Sequence, residues 1–338
     1  MNSSEINNKI DISIVVATYN RAEMLRNSLK TLVSQETEGK FSYEICVVDD
    51  GSTDYTSEVV REMAPNNASP QIRYFHTAGG GPSQALNIGA AAARGEWLAF
   101  FDDDQWAEPL WLAELYKVAQ ERGVDCVDGP LSLDLPHNSS VELSPNWRIC
   151  LGERFLGNCI VRSSKDHLGS GNLLIRKSVF TGLGAFDPNF PFYSYDLDLF
   201  WRLEGAGYYS MYSPHALVHH VIPESRLQII YLVETCQRMG VTYAQVVGKN
   251  AGASKLAFAT LRRLVSFSVR DILLYLIYRL LGPQSHLLDK RIDLWFALAF
   301  FRGALAHLLP KLFKQEIFIN ALYSSYRKRN YLFTEESL

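Results

Sequence analysis

WLAFFDDD, residues 97–104, runs from five apolar residues straight into three consecutive aspartates. The apolar part is short and aromatic, and it reads as a buried strand stopped by a polar cluster. The same figure occurs twice upstream. Ile12–Ala17 (ISIVVA) and Glu44–Val48 (EICVV) are largely β-branched and apolar. They lead into Tyr19-Asn20-Arg21 and Asp49-Asp50-Gly51-Ser52. Ile72–Phe75 reads as one more short strand. Helical patterns separate these strands. Leu25, Leu29, Leu32 and Val33 share one face of residues 22–35, a helix starts near Thr53 with Ser52 or Asp54 as its cap, and residues 82–93 form a third.

Strand and helix in alternation predict an α/β fold: a mostly parallel central sheet with helices on both faces. Ligands of such sheets bind beyond the carboxyl ends of the strands. Three strand ends would deliver polar groups to one edge. Further on, residues 123–170 are less regular. Residues 171–180 read as a strand and a helix start, 183–194 as a Gly/Pro/aromatic loop, 196–206 as a helix and 215–221 as a last strand. From about Ser225 the pattern is helical. The small-residue stretch Gly248–Ser254 suggests a division into residues 1–250 and a C-terminal helical region, 251–338.

Composition supports a folded chain with a real core. Of 338 residues 47% are hydrophobic and 20% charged, with a net charge of −3. That charge is unevenly spread. Residues 251–338 hold 13 Lys/Arg against 6 Asp/Glu, which leaves the first 250 residues at −10. Five scattered cysteines without a CxxC indicate neither a zinc site nor a disulfide framework. The polar N-terminus has no apolar signal segment, so the expected location is cytoplasmic.

Each polar motif has a structural and a functional reading. Asp102–Asp104 can cap the helix that follows, but a cap uses one aspartate, not three. A hard cation shared with a diphosphate would use the others. Asp49-Asp50 is a turn cap or an acceptor for a nucleoside. Gly79-Gly80-Gly81 is a flexible loop or a close backbone approach to phosphate, and it matches neither GxGxxG nor the P-loop. Asp196 and Asp198 cap a helix, or Asp196 is a general base among Tyr193 and Tyr195, with Asp198 turned elsewhere, towards Arg202. His219-His220 is a strand pair or a metal or diphosphate ligand.

In order along residues 11–245, these segments resemble the inverting glycosyltransferases of family 2, which have the GT-A fold. The matching pieces are SIVVATYNRAEMLRNSLKTLVSQ, EICVVDDGSTD, GPSQALNIGAAAARGEWLAFFDDD, SGNLLIRKSVFTGLGAFDPNF with YSYDLDLFWRL, and HALVHHVIPESR. The resemblance implies a nucleotide-diphosphate sugar donor, most commonly a UDP-sugar, and Mn²⁺ or Mg²⁺. It implies nucleotide contacts from Ala17, Tyr19, Arg21, Asp50, Gly81 and Asp103. It implies metal ligation by Asp102 and Asp104 with His219 or His220, the double histidine leaving the register open. Asp196 falls on the general base that activates an acceptor hydroxyl for a single inverting displacement. Departures are Leu86 where the family often has Arg, Tyr195 where it has Glu, and Ala185 where it has Gly. The acceptor would be a glycan or lipid-linked sugar, and nucleic acid is not expected. A non-catalytic sugar-nucleotide or glycan-binding protein on the same scaffold is the alternative. A nucleotidyltransferase would need a Gly-rich loop that Ala17–Arg21 lacks.

In the tail, residues 264–281 and 292–309 are apolar but interrupted by charge, so neither is expected to span a bilayer. Amphipathic helices lying in a membrane interface are expected, with Arg327-Lys328-Arg329 as a basic cluster. Helices packed on the rest of the chain are the competing reading.

Overall fold

β1 (Ile12–Thr18), β2 (Tyr43–Asp49) and β4 (Trp97–Asp102) form the centre of an eight-stranded sheet, because their apolar runs are buried on both faces. The computed structural model describes residues 9–64, 69–139, 141–163, 169–190, 192–266, 272–282 and 284–313. Arg327–Arg329 lie outside them. β3 (Gln71–His76), β2, β1 and β4 run parallel in that spatial order. Past β4 the sheet is mixed. β9 (Asn172–Arg176) pairs antiparallel with both β4 and β6 (Cys126–Asp128), and β10 (Met211–Tyr212) and β8 (Val161–Arg162) complete it. A second sheet orders β5 (Gln105–Ala107), β11 (Val218–Val221) and β7 (Leu131–Asp134).

The strand period of two sends alternate residues to opposite faces. Ile12, Ile14, Val16, Trp97, Ala99 and Phe101 pack with Leu25, Leu29 and Leu32 of α1 (Ala22–Val33) and with α4 (Trp111–Arg122). The other face holds Val15 and Val48. Here Gly89 of α3 (Pro82–Ala92) comes so close that a Cβ on it would meet Val15 at 2.5 Å. Phe100, on that same face, meets Phe180 of α6 (Lys177–Gly182) and Phe186 at ring separations of 5.1 and 5.0 Å. The sheet thus has helices on both faces, as expected. The helix expected near Thr53 begins later, as α2 (Thr56–Met63). Among the described residues of 123–170, read as less regular, there are four short helices and strands, one of them α5 (Pro145–Cys150) capped by Ser144.

The chain divides into two compact units. One comprises Met1–Ser132, Phe155–Pro191 and Arg202–His220. The other comprises Leu133–Arg154, Phe192–Trp201 and Val221–Leu338. α7 (Tyr195–Gly205) begins in the second. That unit also holds α8 (Ile229–Ala251), α9 (Ala253–Ser266), α10 (Ile272–Leu281) and α11 (Gln284–Leu308). α8 and α11 pack closely because glycine lines their contact. A Cβ on Gly303 would lie 2.6 Å from the Val241 carbonyl oxygen, and one on Gly240 2.6 Å from that of Phe296. The stretch Gly248–Ser254 contains the end of α8, where Gly252 takes a φ of 86°. Among the described residues, no helix is long and apolar enough to cross a membrane.

Candidate active site

In the first unit, the carboxyl ends of β1, β2 and β4 lie side by side, with Thr18 opposite Asp49 and Ala17 opposite both Val48 and Asp102. Asp103 and Asp104 form the two-residue turn that carries the chain from β4 to β5. α1 and the residue just past its cap hold this turn and the strand after it through Ser28 and Thr31, which share a helix face, and Gln35. The Ser28 hydroxyl donates to the carbonyls of Asp103 and Gln105, the Thr31 hydroxyl accepts from Ala107 N–H, and the Gln35 amide donates to Glu108 O.

The three aspartates take different directions. The Asp102 carboxylate, half-buried, accepts from the Gln105 amide at 3.2 Å, and the absent side chain of Gly171 leaves it room. The Asp103 carboxylate is buried. It accepts from the Thr18 hydroxyl at 2.8 Å and from the Arg21 guanidinium at 2.8 Å. Burial pushes its pKa up, the Arg21 charge pulls it back, and the neighbouring Asp104 charge adds to the rise. Asp104 Oδ2 lies 3.0 Å from the same Arg21 nitrogen and 3.4 Å from His220 Nε2. His219 turns away from that pair. Its ring stacks on Trp106 at 3.6 Å, and its Nε2 is 3.1 Å from Glu108 Oε1. Strand alternation separates the two histidines, and His220 is the one that reaches an aspartate. Trp106 is a neighbour that no sequence signal singled out.

The second strand end works mainly as a brace. Asp49 accepts from Ser52 N–H and from the Tyr74 hydroxyl. The Asp50 carboxylate accepts from the N–H groups of Gly80 and Gly81, each at 2.8 Å, and from the Thr77 hydroxyl. Gly81 sits just ahead of α3 with a φ of 90°, so its N–H faces Asp50. Asn20, at a φ of 51°, donates its N–H to Ser52 and accepts from Thr53 N–H. Asp54 accepts from Ala22 N–H at the start of α1 and from Thr56 N–H at the start of α2. Tyr19, half-buried, stands between these braced segments in sequence.

Other motif residues have structural partners of their own. Asn172 donates to the carbonyls of Pro130 and Ala216 and accepts from the Trp111 indole, all at 2.8 Å. Asn87 makes two bonds to the Phe186 backbone.

Asp196 belongs to the second unit, half-buried in the first turn of α7, where its carboxylate accepts from Leu197 N–H at 2.8 Å. Asp198 is fully buried. It accepts from Lys249 Nζ at 2.7 Å and from the Asn250 amide at 2.8 Å, both on α8. The Arg202 guanidinium donates to the Leu183 and Ala185 carbonyls.

Among the described residues, no cluster of three or more His, Cys, Asp or Glu is arranged to hold a metal alone. The Asp104–His220 pair still fits a hard divalent cation. Cis ligands of an octahedral ion with bonds of ~2.1 Å are about 3 Å apart, and such ions commonly take only one or two protein ligands beside phosphate and water.

The family model described as "Glycosyl transferase family 2" matches residues 13–184, just over half of the chain. The succinoglycan biosynthesis protein ExoM of Rhizobium meliloti is 25% identical over 75% of this chain and 80% of its own length. Glycosyltransferase AglE of Haloferax volcanii is 28% identical over 58% of this chain and 62% of its own. Among solved structures, the mannosyltransferase PcManGT of Pyrobaculum calidifontis, in complex with GDP-Man and Mn²⁺, superposes with a TM-score of 0.59. It is 16% identical, over 90% of this chain and 89% of that one. GalNAc-T7 with UDP, GalNAc and Mn²⁺ gives a TM-score of 0.51 at 18% identity, over 64% of this chain and 44% of that one. At these identities the superpositions speak for the GT-A fold, and the family match for the rest: the chain belongs to glycosyltransferase family 2.

Proposed function

We propose that this glycosyltransferase moves a sugar from a UDP-sugar to an acceptor hydroxyl with inversion at the anomeric carbon, in polysaccharide or glycolipid assembly. The observation that carries the reading is the pair formed by Asp104 Oδ2 and His220 Nε2, 3.4 Å apart beside Arg21 at the carboxyl end of β4. Asp104 and His220 would hold Mn²⁺ or Mg²⁺, with Asp102 one residue from the turn as a further carboxylate and His219 as support through Trp106. Bound there, the ion would offset the charge that builds on the leaving diphosphate. The complexes of PcManGT and GalNAc-T7, each with Mn²⁺, support the ion, and the UDP of the second supports the donor class. The name of ExoM supports polysaccharide assembly.

The chain's own residues do the rest. Arg21, held by Asp103, brings a fixed positive charge to the diphosphate side. Ala17 and Tyr19 border the nucleoside, and Asp50 and Gly81 shape the loop that faces it. Asp196 takes the proton of the acceptor hydroxyl as that oxygen attacks opposite the leaving group, so one displacement inverts the centre. Asp198, locked to α8, keeps the first turn of α7 in place. The catalytic part comprises residues 1–250, and the helical part residues 251–338.

Calorimetric titration with UDP, GDP and dTDP, each with Mn²⁺ or EDTA, tests the reading. UDP should bind with Mn²⁺ and lose roughly tenfold or more in affinity in Asp104→Ala or His220→Ala. Asp196→Asn should keep that binding and lose roughly 10²-fold or more in turnover. A folded wild type that binds none of the three nucleotides, or binds equally well in EDTA, would overturn it.

A further inference from the structure

α10 has the sequence ILLYLIYRLL and buries none of its ten residues. Leu280 and Leu281 are 80% and 86% exposed, and Leu273 is 55% exposed. A helix in a water-facing fold normally turns an apolar stripe inward and charge outward. Here the outward half is aliphatic. α9 repeats the arrangement with a sharper contrast. Leu256 is fully buried on its inner side, while Phe258, Leu261 and Val265, at i, i+3 and i+7, are 69%, 60% and 58% exposed on the other. Lys255 and Arg262, seven residues apart, flank that exposed stripe. Arg279 stands at the edge of the one on α10. Neither helix contains an Asp or Glu. Among the described residues, no ion pair engages Lys255, Arg262 or Arg279.

From this we infer that the outer faces of α9 and α10 form a surface that lies in the interface of an anionic lipid bilayer. Exposed aliphatics insert below the headgroups, and the flanking cations meet lipid phosphates. The dimensions favour lying in the plane over crossing it. α10 spans about 15 Å, half of the ~30 Å hydrocarbon core. Charge also selects the lipid over a second copy of the chain. A two-fold contact would set this patch against itself and bring Lys255, Arg262 and Arg279 towards their own counterparts, with no carboxylate on either helix to offset them. An anionic membrane is complementary to the same cations.

The surface is independent of the catalytic reading, and its test reads partitioning, not turnover. The full-length protein is sedimented with vesicles of phosphatidylcholine alone or of phosphatidylcholine with phosphatidylglycerol, and its oligomeric state is measured by light scattering. The wild type should bind the anionic vesicles at least roughly tenfold more strongly than the neutral ones. Leu280→Gln with Leu281→Gln should lower binding to both by about tenfold, with an unchanged melting transition. Lys255→Gln with Arg262→Gln should remove only the preference for phosphatidylglycerol. A wild type that stays in the supernatant with both vesicles would overturn the inference. So would a wild-type dimer that the leucine variant turns into a monomer, since the face would then belong to a second copy.

Discussion

Replacing Arg21 by alanine removes a guanidinium that contacts both Asp103 and Asp104. The two side chains that accept from it are each 6% exposed, and Arg21 itself is 18% exposed. Each pair gains about 4 kcal/mol of gross Coulomb energy at ~4 Å in an effective dielectric of ~20. Desolvation of all three groups already cancels much of that gain, but truncating Arg21 leaves two buried carboxylates without its charge, which costs about 3 kcal/mol. For a chain of this size the melting transition should fall by roughly 4 °C in EDTA at neutral pH.

The sign of the pH dependence follows from Asp103. Its folded pKa is raised by burial, and losing Arg21 removes the main opposing influence. A carboxyl raised in the folded state is penalised in full above its folded pKa, and the penalty disappears as the pH falls towards the unfolded value. The deficit of the variant should therefore shrink on acidification from pH ~7 towards ~5. It should also shrink on addition of Mn²⁺, which would restore positive charge beside Asp104. Differential scanning fluorimetry across pH, with and without the metal, reads all three effects. A variant that melts within about 1 °C of the wild type, or a deficit that does not change with pH, would refute the electrostatic account of this turn.

Two further outcomes concern α7 and the loop before it. Asp198→Ala leaves Lys249 without its fully buried partner, but that lysine is 38% exposed and can rehydrate, so the loss of stability should be about 2 kcal/mol, measured by urea denaturation. An unchanged midpoint would mean that the clamp is not formed. Ala185 sits at a φ of 58°, a left-handed conformation that glycine adopts without strain, so Ala185→Gly should raise stability by about 0.5 kcal/mol, and a lowered melting temperature would contradict this.

Much of the site could be placed from local patterns, but the roles of its members could not. The run of strand ends put Arg21, Asp50 and Asp102–Asp104 on one edge, because strand and helix periodicities are local and a parallel sheet collects carboxyl ends. The partners are remote in the chain. Arg21 and Asp103 are 82 residues apart, and His219 and Glu108 are 111 apart. No spacing rule reaches that far. The double histidine shows the consequence. Sequence allowed either ring to face the aspartates, and the register of β11 against β5 sends His220 to Asp104 and His219 to Trp106. Asp50 shows another. Its position at a strand end suggests a ligand contact, and the fold adds three bonds that no local spacing announces, from Gly80, Gly81 and Thr77.

The amino-acid sequence by itself determined the alternation of elements, the order of the motifs and the basic, apolar character of the tail, since each rests on the identity and spacing of near neighbours. The tertiary structure alone decided which groups brace each carboxylate, and which helical face in the tail goes uncovered. Those outcomes depend on what the rest of the chain packs against each group, and burial and hydrogen bonding become definite only when distant segments meet.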